Sequence, residues 1–433
     1  MAGVLGLLGL GERALLWRAY GPVEYGDTAS YLRLAGVLSG WSLAGYDGTR
    51  TPGYPAFLAL LGGEPAQVWL AQMALGLGIS LMLFWLTYRT TANARLALLV
   101  GGLYNLIPGQ FLFEANLLSE TLTAFLVLAS ITLLAALDDR RSPPGRWPAQ
   151  LLGSAALGLA ASLAGLVRPL FFFLPVWLLP FVGSVAPRTV GSRLARLAGF
   201  SLPPAILLGG WLAFIYGSWG MLSPTTMSGY HWVQHTGWYF ELLPDEAAPI
   251  RDTYLQYRDA RIAQRGDQTN AIWEAIPAIS QASGLGFYDL SKEMQRLSFD
   301  LIREHPDLYL RNVVTGWLAF WKAPVYWESD IVGSAAARSL ISAWATLGRV
   351  FSLAANAVFL FLTALALCWR SLRERLGFDR VTVAAVGVVW IASIVQTLVD
   401  HGDNPRFLVP LQMLVIYVVA RASWTYGRQV RRS

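Results

Sequence analysis

Cysteine is nearly absent: the 433 residues hold 1, Cys368. No intramolecular disulfide and no cysteine-rich zinc site can form from it. It ends an apolar run, the place of a helix-packing side chain. Charge is scarce as well. Charged residues make up 14% of the chain, against about 25% in soluble domains. Mean hydropathy is +0.45. A long soluble enzyme with a polar surface is excluded, and so is a disordered chain. Lysine is almost missing, with Lys292 and Lys322 standing among 33 basic residues. There is no GxxxxGK[ST] phosphate loop, so ATP-driven transport has no engine in this chain. No Asn-x-Ser/Thr site, internal repeat or low-complexity tract occurs.

What remains is apolar and aromatic, with 18 Trp, 17 Tyr and 20 Phe. A helix needs roughly 20 apolar residues to cross about 30 Å of hydrocarbon. Ten runs meet or approach that length, at about 2–19, 66–88, 96–113, 117–137, 149–166, 169–186, 196–217, 343–368, 381–399 and 405–424. The first is short and carries Glu12 and Arg13. It lacks the basic start and small-residue cleavage site of a signal peptide, so it reads as a membrane helix. The expected fold is all-α: a polytopic transmembrane bundle of about ten spans with extracytoplasmic amphipathic and interfacial helices.

Arginine placement sets the expected orientation. With the first residues inside, each inner loop (89–95, 138–148, 187–196, 370–380 and 421–433) holds at least two arginines. The short outer connections hold Arg168 and Arg406, the asymmetry expected when the basic loops face the cytoplasm. Two long segments then lie outside, 20–65 and 218–342. In the second, carboxylates outnumber basic side chains, and all four histidines lie on the outer side. The net charge of +6 therefore reads as membrane orientation and not as nucleic-acid binding. The division expected is 1–217 as a membrane module carrying the first outer loop, 218–342 as an outer helical segment, and 343–433 as further membrane helices. Residues 245–310 have helical periodicity with mixed charge. Residues 311–330 are too short to span and read as interfacial or re-entrant.

Chemistry is expected on the outer side. Asp27 opens a helical stretch in which Tyr31, Leu34, Ala35 and Leu38 recur at helix spacing. It is placed to act as an N-cap, as a catalytic or metal-binding carboxylate, or as both. Arg50-Thr51-Pro52-Gly53-Tyr54-Pro55 is a rigid loop entering an apolar helix, and Arg50 offers a fork suited to phosphate. Glu120 lies a few residues into an apolar run, where a carboxylate needs a polar cavity or a buried partner. Arg168 at a helix end can meet a lipid headgroup or the site. The segment Asp400-His401-Gly402-Asp403-Asn404-Pro405-Arg406 packs ionisable groups between two spans, and Arg406 reads as an anion-binding residue. His231 and His235 have the i, i+4 spacing of metal ligands but no matched third ligand. Their aromatic neighbours, Tyr230, Trp232, Trp238, Tyr239 and Phe240, suit an aromatic belt or sugar stacking.

At these residues the sequence resembles the polytopic glycosyltransferases of the GT-C type that use lipid-phosphate sugars, in particular the bacterial family related to protein mannosyltransferases and the lipid A aminoarabinose transferase. The likeness is carried by Asp27 with Tyr31, by Arg50-Thr-Pro-Gly-Tyr-Pro, by Leu-Leu-Ser-Glu-Thr-Leu at 117–122, and by Arg-Phe-Leu-Val-Pro at 406–410. Arg303-Glu-His-Pro-Asp-Leu-Tyr-Leu-Arg-Asn before a Trp-rich run adds to it. Many members have two adjacent acids where this chain has Asp27-Thr28, and Lys-Pro-Pro where it has Arg-Thr-Pro.

The resemblance implies an enzyme that moves a sugar from a polyprenyl phosphate to an extracytoplasmic glycan, lipid or protein acceptor, with inversion. Asp27 would be the general base. Arg50 would bind the lipid phosphate, with Arg406 a second cation. Tyr54, Glu120, Arg168, His401 and Asp403 complete the expected substrate-binding set. Metal dependence varies across the superfamily; no cofactor is assigned, and Asp27, Asp47 and Glu120 are the carboxylates to test for a divalent metal. The compartment implied is the bacterial inner membrane, with the site facing the periplasm or exterior. A lipid or polysaccharide transporter or flippase is the alternative. The scarcity of mid-membrane charge and the lack of related halves count against it.

Overall fold

A computed structural model describes residues 1–137, 147–184 and 190–431. Residues 138–146 of the expected inner turn and 187–189 of the expected loop at 187–195 lie outside the described residues, and 190–195 already belong to the helix Val190–Trp219. Among those described, every regular element is a helix, and the one extended pairing is an isolated bridge between Val23 and Asn116. The protein is thus an all-α polytopic bundle.

Among the described residues seven helices are long and apolar enough to cross a membrane: Pro65–Thr91, Glu120–Leu137, Pro148–Val167, Val190–Trp219, Ala335–Cys368, Arg380–Val399 and Asn404–Val430. One further apolar stretch is broken, Ala94–Leu106 and Pro108–Ala115 meeting at 63°, the geometry of a bent span or a re-entrant loop. Pro108 supplies no N–H and drives the preceding Ile107 into extended backbone (φ −91°, ψ 109°). The other two expected runs are also helical but fall short of a span by these measures. Ala2–Ala19 carries Glu12, Arg13 and Arg18, and Pro169–Gly183 is a shorter apolar helix.

The charge in the first helix is compensated. Arg13 is buried, and a buried cation needs a partner. Its Nε and Nη2 donate to the two oxygens of Glu114 at 3.0 and 2.5 Å, and its Nη1 donates to the Gly9 carbonyl at 2.9 Å. Glu114 sits at the end of the broken stretch, so the bend delivers the counter-charge. Gly76 makes room for it, since a Cβ there would stand 1.9 Å from Glu114 Oε1.

The largest apolar core joins Pro65–Thr91, Glu120–Leu137, Pro148–Val167, Arg380–Val399 and Asn404–Val430. A separate core closes around Tyr230, Phe240, Tyr254, Ile272, Met294 and Leu301. It is built by Ser228–Thr236, Ala248–Arg265, Ala271–Ser283 and Phe287–Glu304. In the last of these Leu290, Met294, Leu297 and Leu301 bury one face at the spacing of an amphipathic helix. Residues 245–310 therefore have the helices that their periodicity predicts.

The aromatic stretch 311–330 follows another course. Pro306–Phe320 is a helix whose Trp317 stacks on Trp390 and donates to Ser393 Oγ at 3.2 Å. It thereby lies along Arg380–Val399. The chain then continues without regular structure, and Tyr326 reaches Asp403.

One close approach positions the loop that carries Arg50. A Cβ on Gly53 would lie 2.6 Å from the backbone of Leu166 and Val167, and backbone cannot rotate away. Gly53→Ala is expected to destabilise the protein by about 1–3 kcal/mol. A thermal unfolding midpoint in detergent below that of the parent checks this; an unchanged midpoint refutes it.

Candidate functional site

The first loop is stitched onto the start of the helix Glu120–Leu137. Val23 N–H donates to the Ala115 carbonyl, and Leu117 N–H donates to the Val23 carbonyl, both at 2.8 Å. Thr28 Oγ1 accepts from Tyr25 N–H and donates to the Leu117 carbonyl, each at 3.0 Å. The helix Gly26–Leu38 has Tyr25 as its N-cap. Asp27 therefore does not cap; it occupies the first turn, and its carboxylate turns to two arginines.

Those arginines come from distant segments. Arg50 Nη2 donates to Asp27 Oδ1 at 2.6 Å, and its Nε donates to Ser30 Oγ at 3.3 Å. Its guanidinium also lies over the Tyr31 ring, 5.2 Å from the centroid. Arg406 Nη2 pairs with Asp27 Oδ2 at 2.5 Å. The Nε of the same guanidinium stands 2.7 Å from Glu120 Oε1, and Arg168 Nη1 stands 2.6 Å from that oxygen. Glu120 is fully buried. These last two contacts are out of hydrogen-bond alignment, so the N–H groups of Arg168 and Arg406 are not saturated by Glu120. Arg168 packs face-on to Phe407, 4.1 Å from its centroid. The result is one continuous chain of charge, Arg50–Asp27–Arg406–Glu120–Arg168, with three cations and two anions.

Burial alone would push the Asp27 carboxyl up. Arg50 and Arg406 outweigh it and hold the group well below the usual carboxylate range. Asp27 is thus a committed anion in this state.

A cavity of about 420 Å³ opens beside this chain, lined by Arg50, Arg168 and Arg406 at one part and by Val167, Leu170, Leu222, Val395, Val399 and Phe407 elsewhere. Its size is that of a small-molecule site. Cationic groups next to an apolar trough suit an amphiphile with an anionic head.

The other expected site residues are placed differently. Tyr54 is fully buried, donates to Gln72 Oε1 at 3.2 Å and packs edge-on to Tyr31. It supports the Tyr31 ring and does not reach the cavity. Asp403 accepts the Tyr326 hydroxyl at 3.0 and 2.9 Å, and burial raises its pKa in spite of nearby Arg406. His401 does not line the cavity, and its ring lies 5.4 Å from that of His235. Burial, with His401 beside it, pushes His235 down to about 4.

His231 and His235 do not converge. His231 pairs through Nδ1 with Asp400 Oδ2 at 3.2 Å, which no spacing rule announced across that separation. Among the described residues no group of three His, Cys, Asp or Glu side chains could hold a metal ion. Asp27 and Glu120 share Arg406, and Asp47 pairs with Arg33 at 2.6 Å. Those oxygens face guanidinium groups or, for Asp47 Oδ1, the N–H and hydroxyl of Thr49, surroundings that do not fit a divalent cation.

No family model and no curated protein matches the chain. Among solved structures it is similar to the crystal structure of ArnT from Cupriavidus metallidurans bound to undecaprenyl phosphate, at 16% identity and a TM-score of 0.37, over 99% of this chain and 77% of that one. At that degree of overlap, function has to be argued from this chain's own residues.

Two outcomes are expected. Glu120→Gln leaves Arg168 without its anion and Arg406 with half of its own, and should lower stability by about 3 kcal/mol or more, read as thermal unfolding in detergent. The depressed Asp27 pKa means that its pairing stabilises the fold above the unfolded-state pKa and is lost as pH falls through the folded value. Below about pH 4 the unfolding midpoint of the wild type should therefore fall more steeply than that of Asp27→Asn. Parallel curves refute the pairing.

Proposed function

We propose that the protein is an integral-membrane glycosyltransferase that takes a sugar from a polyprenyl-phosphate donor and transfers it to an extracytoplasmic acceptor with inversion. The observation that supports this best is the convergence of Arg50, Arg168 and Arg406 at one part of an apolar-lined cavity, with Asp27 bridging two of them.

The donor's phosphate would enter among the arginines, its prenyl chain along the apolar lining. Guanidinium forks bind phosphate oxygens through paired N–H groups. An arriving phosphate competes with Asp27 for Arg50 and Arg406. Released from them, Asp27 regains basicity and can take the acceptor's proton. The acceptor oxygen or nitrogen forms a bond to the anomeric carbon as the bond from that carbon to the phosphate oxygen breaks. The proton goes to Asp27, and the polyprenyl phosphate leaves with one more negative charge. Fixed cations in a water-poor site stabilise that developing charge. The bacterial inner membrane, with the site on the periplasmic or exterior side, is the compartment this reading implies.

The test separates base from binder. Asp27→Asn removes the internal competitor for the arginines, so binding of undecaprenyl phosphate should persist or tighten. Transfer should fall by about 100-fold or more. Both are measured on purified protein in nanodiscs, with lipid-linked sugars as donors. Transfer at the wild-type rate by Asp27→Asn would end the assignment of the base. Failure of Arg406→Lys to weaken undecaprenyl-phosphate binding would end that of the phosphate site.

A further inference from the structure

The same cavity has a second wall that the arginines do not explain. It is formed by one face of Ser228–Thr236 and one face of Phe287–Glu304, the helices joined at Gly229 and Ser291. Ser228, His231 and Trp232 share the i, i+3, i+4 face of the first helix. Gln295 and Phe299 stand four apart on the second. All five line the cavity.

Each of these side chains is held in a definite attitude. Asp400 accepts Gly402 N–H at 2.9 Å and faces His231 Nδ1. In the tautomer whose Nδ1–H donates to Asp400, Nε2 is an acceptor, and among the described residues it has no hydrogen-bond partner. Ser228 Oγ donates to Gln295 Oε1 at 3.3 Å, which leaves the Gln295 amide N–H groups for a ligand. The Trp232 indole is braced edge-on by Phe299, with ring centroids 4.9 Å apart.

The charge pattern narrows the ligand. Asp400 is the one carboxylate in the cavity lining, and it is committed to His231. A cationic group would meet no uncommitted anion here. An anionic group would find its cations at the arginines instead. Neutral donors and acceptors around a braced indole suit a ring with hydroxyls on its edge and C–H bonds on its face.

We propose that this wall is a subsite for a neutral sugar ring, stacked on Trp232 and hydrogen-bonded to His231 Nε2 and the Gln295 amide. The inference rests on the transferase reading for the ring's source, which is either the donor's own sugar or a glycan acceptor. It does not rest on it for the ring's chemistry.

The test uses the full chain in nanodiscs and saturation-transfer NMR. The probes are the methyl glycosides of glucose, galactose and mannose, compared with methyl glucuronide and methyl glucosaminide. At least one neutral glycoside should bind at about 10 mM or below, and more tightly than either charged sugar. Trp232→Ala and His231→Phe should each weaken it about tenfold. His231→Gln, which keeps an acceptor near the Nε2 position, should stay within about threefold of wild type. A merely structural role for His231 would not be rescued in this way.

A citronellyl phosphate ester of the best-bound sugar then distinguishes the sources. It displaces the methyl glycoside if the wall seats the donor's ring, and leaves it bound if the ring belongs to the acceptor. Absence of neutral-glycoside binding, preference for a charged sugar, or wild-type binding by both Trp232→Ala and His231→Phe overturns the proposal. Undecaprenyl-phosphate binding and its sensitivity to Arg406→Lys are read separately, so either reading can fail alone.

Discussion

Three guanidinium groups beside an apolar cavity repel one another, and removing them from water is expensive unless anions answer them. Asp27 and Glu120 are those anions, with Arg406 shared between them. This requirement ties together parts of the chain that are far apart in sequence. The bridge from Val23 to Asn116 and the hydroxyl of Thr28 bring Asp27 up to Glu120. The missing side chain at Gly53 lets the Arg50 loop press against the end of the Arg168 helix. The short helical turn Asn404–Leu411 supplies Arg406 and Phe407. Losing one of these contacts leaves a buried charge without its counterpart, so the arrangement is cooperative in the sense that each pair stabilises its neighbours.

The polarity of the cavity follows from which elements build it. The charged part comes from connections between membrane helices. The neutral polar part comes from helices with a core of their own, closed around Tyr230, Phe240 and Met294. Two walls with different chemistry and different supports form one space. Under the proposed reaction, the charged floor and the separately packed neutral wall would seat an amphiphile and a polar partner side by side.

The membrane helices were legible in the sequence because hydropathy over about 20 residues is a cumulative signal. The break at Ile107 was not read from the run 96–113, although Pro108 announces it; the run's hydropathy hid the bend. Glu120, Arg168 and Arg406 stood out because charges in apolar runs need a reason. Which charge meets which was beyond reach, since pairings as far apart in sequence as Arg406 and Asp27, 379 residues, leave no trace in local spacing. Asp27 was open to a capping role, and Tyr25 has it instead because the chain enters the helix two residues earlier. Tyr54 sat in the right motif but one layer too deep. His231 and His235 invited a helix-face metal reading, yet one lines the cavity and the other lies in the interior against His401. The wall formed by Ser228, Trp232 and Gln295 had no motif at all, because hydroxyls, amides and an indole are ordinary on any amphipathic helix.

The choice of arginine over lysine at all three cationic positions has a consequence for how an anionic ligand is held. A guanidinium does not titrate in the physiological range, so the protein's side of a phosphate contact is constant with pH. A spent lipid phosphate, by contrast, loses its second proton near about pH 6. Under the proposed reaction, protonation of the spent lipid's phosphate would weaken its retention while the three guanidinium groups keep their charge. Vacating the pocket would then be governed by the ionisation of the departing lipid rather than by any switch in the polypeptide.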